Sequence, residues 1–270
     1  MTRRPDLHLL AAAAALAAAV LLGGLGVARL AAAPPPEVEL AGYATSLRGR
    51  TSGQRHNAVL AARALDGVRI LAGGEFSYNR TVRSWTVDRG YVKAPVSYDG
   101  ELVPAFGGGV CQTSTTLYNA ALLAGFAILE RHPHVFAPSY VTPGRDAAVA
   151  QYDIDLRIQN PYPWPVRIAA HTVGDRLEVR LYGHRRPAEP VEIVTQVAAV
   201  RPPGRLMIAG ETAGPGRWLR NPGAAGYRVL TYRVTPGEPS PRRELLSDDT
   251  YQSADRIVVV GRGQTSQTSP

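Results

Sequence analysis

Three glycines, Gly107, Gly108 and Gly109, run through Val110 into Cys111, the only cysteine in the 270 residues. Apolar side chains at helical spacing follow from Thr113 to Phe126, so the cysteine falls where a glycine loop feeds a helix. Backbone N–H groups and the positive end of the helix dipole then surround the sulfur, which favours a thiolate. The same N–H groups suit the oxyanion of an acyl-transfer intermediate, and glycines let a substrate backbone approach closely. A thiol nucleophile needs a base, and the base an orienting partner. His134 and His132 are the candidate bases, and Asp146 or Asp153 the candidate partner. The plainer alternative keeps Cys111 as a small packed residue and the glycines as a tight turn.

Metal and nucleotide chemistry find no support. Cys111 with His132 and His134 lacks a second cysteine for a zinc site, and the glycine run lacks the Lys and Ser/Thr spacing of a phosphate loop. No metal, cofactor or nucleotide is expected.

Several elements must hold these residues in place. A helix is predicted over Asn57–Leu65, from Val59, Leu60, Ala62 and Leu65, with Gly67 as its stop. Tyr91–Tyr98 reads as a strand turning at Asp99-Gly100. Beyond Arg131-His132-Pro133-His134, apolar alternation at Ile154, Leu156 and Ile158, at Val166 and Ile168, and at Leu177, Val179 and Leu181 predicts antiparallel strands, with Gly174-Asp175 between the last two. The fold class expected is α+β: a mixed domain built on the glycine loop, Cys111 and its helix, closed by antiparallel strands and followed by a small all-β domain.

The charge of +8 comes from 30 basic and 22 acidic residues, and Lys93 is the single lysine. A basic surface suits nucleic acid, anionic lipid or anionic wall polymer alike. Location decides: Arg3 and Arg4 precede an uncharged apolar run from Leu9 to Ala28, the length a membrane-crossing helix needs. Basic residues before the span put the N-terminus in the cytoplasm and the rest outside, so a nucleic-acid partner is not expected. The run reads as an uncleaved anchor; the alternative is a cleaved signal peptide ending near Ala31–Ala33, where Pro34 fits poorly.

The expected organisation is a cytoplasmic segment 1–8, an anchor or signal segment 9–30, a Pro-rich stalk 31–45, the mixed domain 46–184, the all-β domain 185–262 and a disordered tail 263–270.

From Asn57 to about Gly183 the chain resembles the VanW family. The resemblance rests on Gly74-Glu75-Phe76-Ser77-Tyr78-Asn79, on the run from Gly107 through Cys111-Gln112-Thr113-Ser114 to Tyr118-Asn119-Ala120, on Glu130-Arg131-His132-Pro133-His134, and on Gly144-Arg145-Asp146-Ala147. It implies an extracytoplasmic protein acting on peptidoglycan stem peptides. Cys111 would be the nucleophile of an L,D-transpeptidase that makes 3-3 cross-links through a thioester. His134 first and His132 second are the inferred bases, with Asp146 orienting. Gly107, Gly108, Gly109, Gln112, Thr113, Ser114, Arg131 and Tyr118 are the expected oxyanion and substrate-binding set. The alternatives are a peptidoglycan-binding accessory module with a structural cysteine, and an anchored interaction protein that works through its basic surface. The C-terminal region more weakly resembles a G5-type domain, through Gly226-Tyr227-Arg228-Val229 and Arg256–Gly261.

Overall fold

Thr51 and Gln54 cap each other across the first turn of a helix. The Thr51 hydroxyl accepts from the Gln54 N–H at 3.2 Å, and the Gln54 side chain accepts from the Thr51 N–H at 3.1 Å. Helix α1 (Ser52–Leu65) therefore begins more than a turn before the apolar spacing predicts, and it buries Ala58, Ala61, Ala62 and Leu65. It ends at Asp66, with Gly67 in the left-handed region at φ 79°. These features come from a computed structural model describing residues 36–98, 101–187, 189–210 and 216–261.

Helix α1 and a second long helix cover one face of a four-stranded antiparallel sheet. Its order is β1 (Val38–Ser46), β9 (Arg176–Gly183), β8 (Val166–Val173) and β2 (Arg69–Ile70). Alternate residues Val166, Ile168 and Ala170 of β8 and Leu177, Val179 and Leu181 of β9 are buried, so this face is the core side. Helix α2 (Tyr78–Val82) is one short turn, and helix α3 (Val110–Leu123) is the one that carries Cys111. Leu117, Ala120, Ala121 and Leu122 of α3 are buried, and α3 packs on β1, β9 and α1. It starts three residues before Thr113 and stops short of Phe126, so Cys111 lies within its first turn.

A three-stranded antiparallel sheet, β3 (Glu75–Ser77), β7 (Arg157–Gln159) and β6 (Ala127–Glu130), closes one end of this layer. The strands β4 (Lys93–Tyr98) and β5 (Glu101–Phe106) pair antiparallel and deliver the chain to Gly107. The turn expected at Asp99-Gly100 lies outside the described residues.

The C-terminal part is all strand. β10 (Glu192–Arg201), β13 (Gly226–Thr235) and β14 (Arg242–Tyr251) form one antiparallel sheet. In the other, β15 (Arg256–Gly261) lies between β11 (Arg205–Gly210), parallel to it, and the antiparallel β12 (Gly216–Asn221). The described chain is thus mostly β-strand with few helices.

The organisation differs from expectation at the stalk. Residues assigned to it from Val38 onward form β1, whose Tyr43, Thr45 and neighbours pair with Val179 and Leu177 of β9. All described elements lie in one compact unit beginning at Glu37. Among the described residues no helix is long and apolar enough to cross a membrane. The segments 1–8, 9–30 and 263–270 lie outside the described residues.

Candidate active site

Asp146 is the hub of the site. Its carboxylate is buried, and Oδ2 accepts two bonds from one residue: the His134 backbone N–H at 2.7 Å and the imidazole Nδ1 at 2.6 Å. Oδ1 accepts from the Tyr251 hydroxyl at 2.5 Å and from an Arg131 guanidinium nitrogen at 3.0 Å. Four donors on two oxygens saturate the carboxylate and fix the imidazole plane. Burial raises the Asp146 carboxyl, but the His134 hydrogen bond and charge, then Arg131 and Tyr251, outweigh it and hold it below its ordinary range.

The imidazole so fixed stands beside Cys111. Burial would lower His134, yet its hydrogen bond to Asp146, the neighbouring Cys111 sulfur and the charges of both push it from 6.5 up to about 10. The thiol responds in the opposite sense: burial pushes it up, and His134, by hydrogen bond and charge, brings it below its ordinary value. The two shifts run in the direction of a thiolate–imidazolium pair. In its neutral form the thiol donates to the Val149 carbonyl at 3.3 Å. Cys111 remains partly accessible. A half-buried imidazole locked to a carboxylate and set beside a partly exposed thiol is an arrangement of the kind that nucleophilic acyl transfer uses.

The other residues expected at the site fall elsewhere. His132 bonds Glu130 Oε1 at 3.1 Å, and its backbone bridges to Ala148; it takes no part in the Asp146 cluster. Asp153 lines a separate groove of about 860 Å³, together with Glu75, Arg83, Trp85, Glu130 and Tyr152. That groove does not include Cys111, His134 or Asp146.

The glycines serve packing instead of substrate approach. A Cβ on Gly107 would lie 2.2 Å from the Trp85 ring, on Gly108 2.7 Å from the Pro95 carbonyl, and on Gly109 2.2 Å from the Gln54 carbonyl. The protein's own Trp85, β4 and α1 fill the space that a missing Cβ was expected to leave for a ligand. The N–H of Val110 bonds Gly107 O and that of Gln112 bonds Gly109 O, so neither is left for an oxyanion.

The expected substrate-binding side chains are likewise committed within the fold. Gln112 is buried and donates to Thr45 Oγ1 and Ser46 O at 3.0 and 2.8 Å. Thr113 faces Ala58 O, and Ser114 donates to Ala147 O at 2.6 Å. Tyr118 is buried under the Arg131 guanidinium, 5.4 Å from ring centroid. Arg131 itself meets both oxygens of Asp249 at 2.6 Å, as well as Asp146. These residues hold the site; they do not line it. Their positions follow from the helix, since successive residues of α3 point into the core, the sheet and the Asp146 segment in turn.

Four residues escaped the sequence reading: Asp249 and Tyr251 of β14, and Arg50 and Tyr140. The first two left a trace, because in a strand residues two apart share a face, and an acid and a tyrosine two apart end an otherwise exposed β14. Arg50 and Tyr140 left none. Among the described residues no group of three or more His, Cys, Asp or Glu is placed to hold a metal.

Residues 53–182 match the family described as VanW like protein. The chain is 38% identical over 144 residues to "Uncharacterized protein YoaR" of Bacillus subtilis (strain 168), covering 53% of this chain and 48% of that one. It is 29% identical over 136 residues to "Vancomycin B-type resistance protein VanW" of Enterococcus faecalis (strain ATCC 700802 / V583), covering 48% and 50%. It thus spans about half the length of each of these curated relatives. A solved structure, "Crystal structure of HP0197-G5", aligns with 27% of this chain and 96% of its own at 20% identity and a TM-score of 0.17, too low to bear on the fold of the C-terminal sheets. The matched region, residues 53–182, contains nearly all of α1, the glycine loop, Cys111, His134 and Asp146, and is a VanW-like domain.

Proposed function

We propose that Cys111 is the nucleophile of an acyl transfer on peptidoglycan stem peptides, forming 3-3 cross-links as an L,D-transpeptidase. The observation that carries the reading is the chain from Asp146 Oδ2 through the His134 imidazole to the Cys111 thiol. The name of the Enterococcus faecalis relative, a vancomycin resistance protein, supports a cell-wall setting.

The Cys111 sulfur attacks the carbonyl carbon between the third residue of a donor stem and its terminal D-Ala. The C–N bond breaks, the His134 imidazolium gives its proton to the departing amine, and a thioester remains. An amine of a second stem then attacks the thioester carbon, its proton passes to His134, and the thiolate leaves to restore the ion pair. The apolar run Leu9–Ala28 would hold the protein at the outer face of the membrane, within reach of the wall.

The test is incubation of the full-length protein with a disaccharide-tetrapeptide, followed by intact mass and product analysis beside Cys111→Ala. The reading requires a thioester adduct, D-Ala release and cross-linked dimers, all missing in the variant. Equal stem-peptide binding by both proteins with no adduct and no product sinks it. That outcome leaves a wall-binding module in which Cys111 only packs and bonds Val149.

A further inference from the structure

Two partly buried guanidiniums among the described residues meet no carboxylate, Arg50 and Arg145. Arg145 lies far down α3, where its Nε donates to Asn119, eight residues beyond Cys111 and so about 12 Å along the helix. Arg50 sits at the Cys111 end. It lies in the loop between β1 and α1, and Ser46, the last residue of β1 before that loop, receives the Gln112 side chain.

The guanidinium of Arg50 lies 5.0 Å above the Tyr140 ring, and that ring meets the His134 imidazole edge-on at 6.5 Å. Arg50, Tyr140 and His134 thus form a file ending at the thiol. Both outer members carry a buried donor with no acceptor, Arg50 Nε and the Tyr140 hydroxyl. The outer edge of Arg50 stays accessible, where a guanidinium nitrogen donates to Ser139 Oγ at 3.1 Å. Burial, and then the charge on Cys111, keep the Tyr140 phenol protonated and hence a donor. A cation that meets no carboxylate, beside a neutral hydroxyl, each with one donor left unpaired, is matched to a carboxylate.

We propose that Arg50 and Tyr140 form a carboxylate-recognition subsite beside Cys111, binding the free C-terminal carboxylate of the peptide whose preceding carbonyl faces the thiol. Its place in the reaction rests on the acyl-transfer reading, whereas the subsite itself needs no reaction at the thiol. The Tyr140 ring meets the His134 imidazole, so a carboxylate held by Arg50 and Tyr140 lies on the side of the site where the base of Cys111 stands. The subsite selects chain ends over internal bonds, because an internal peptide carbonyl offers no charge to Arg50.

The experiment compares N-acetyl-alanyl-D-alanine with its C-terminal amide, measuring affinity by calorimetry for the full-length wild type, Cys111→Ala, Arg50→Gln and Arg50→Lys. Expected is at least tenfold tighter binding of the acid in wild type and in Cys111→Ala. The preference falls to within twofold in Arg50→Gln and is partly regained in Arg50→Lys. Equal binding of acid and amide in wild type and Cys111→Ala, or no binding of the acid, overturns the subsite without recourse to the Arg50 variants. A preference that survives in folded Arg50→Gln also overturns it. A carboxylate preference that depends on Arg50, in a protein that forms no thioester, upholds the subsite and removes only the acyl transfer.

Discussion

The Tyr251 hydroxyl donates to Asp146 Oδ1 at 2.5 Å and accepts the Gly144 N–H at 2.7 Å, so the last residue of β14 closes the cluster that orients His134. Asp249, two residues earlier, does the same for Arg131. The C-terminal sheet therefore supplies part of the support for the cysteine site. Replacing Tyr251 by Phe removes a donor and leaves the Gly144 N–H unpaired, at a cost of about 1–3 kcal/mol for buried groups left without partners. Urea unfolding of Tyr251→Phe should show that loss. Iodoacetamide alkylation of Cys111 should move to higher pH, because a less anchored Asp146 raises His134 less; an unchanged alkylation profile would give Tyr251 a purely structural part.

Asp146→Asn tests the carboxylate itself. The imidazole loses the charge that helps raise it to about 10 and falls toward 6.5, and the thiol loses its imidazolium at neutral pH. Alkylation of Cys111 near neutral pH should slow by about tenfold as thiolate gives way to thiol. A rate equal to wild type would show that Asp146 does not tune the thiol.

The pH dependence of stability follows from the signs of these shifts. His134 is raised on folding, so its contribution is complete below about 6.5 and is lost as pH rises toward about 10. Asp146 is lowered, so its contribution is present above its ordinary carboxyl value of 3.8 and is lost as pH falls through its depressed one. The difference in unfolding free energy between wild type and His134→Ala should shrink between about pH 6.5 and 10. A constant difference over that window would contradict the raised imidazole.

What was legible in the sequence, and what was not, divides by distance along the chain. Cys111 at the start of a helix follows from three glycines and an apolar spacing inside one short stretch. His134 ahead of His132, with Asp146 orienting, was the sequence inference, and the fold joins His134 to Asp146 while His132 turns to Glu130. Asp249 and Tyr251 stayed hidden because they meet Arg131 and Asp146 across more than 100 positions. The glycines were legible as special and misleading in purpose. A missing Cβ signals a close approach, yet nothing local distinguishes a ligand from the protein's own Gln54 and Trp85.

That distinction is itself testable with two alanines. Gly67 has φ 79° and open space where a Cβ would go, so Gly67→Ala should cost only the left-handed backbone strain, about 1–2 kcal/mol. Gly109 combines φ 106° with a Cβ position 2.2 Å from the Gln54 carbonyl, so Gly109→Ala must push α1 away from α3. It should lose clearly more stability than Gly67→Ala in urea unfolding, and its Cys111 alkylation should fall with it. Equal losses would mean that α1 gives way without cost.

Arg131 offers the sharpest contrast between a buried and an exposed ion pair. Its side chain is 5% exposed and lies between Asp146 and Asp249, which are 0% and 6% exposed. Removing it in Arg131→Met leaves the buried Asp249 without its cation and Asp146 with His134 alone, a change of the kind that costs about 3–5 kcal/mol. The exposed Arg228–Asp248 pair closes at 2.7 Å, a shorter contact than the 3.0 Å between Arg131 and Asp146, yet water and salt screen it. Arg228→Met should therefore cost only about 0–1 kcal/mol. Unfolding free energies at low and high salt separate the two, since only the Arg228 effect should fade with salt. Charge-neutral repair gives the final check: Arg131→Met combined with Asp249→Leu should recover part of the loss, because the second change removes the stranded charge. Failure of the pair to recover any stability would mean that Arg131 acts through its packing on Tyr118 and not through its charge.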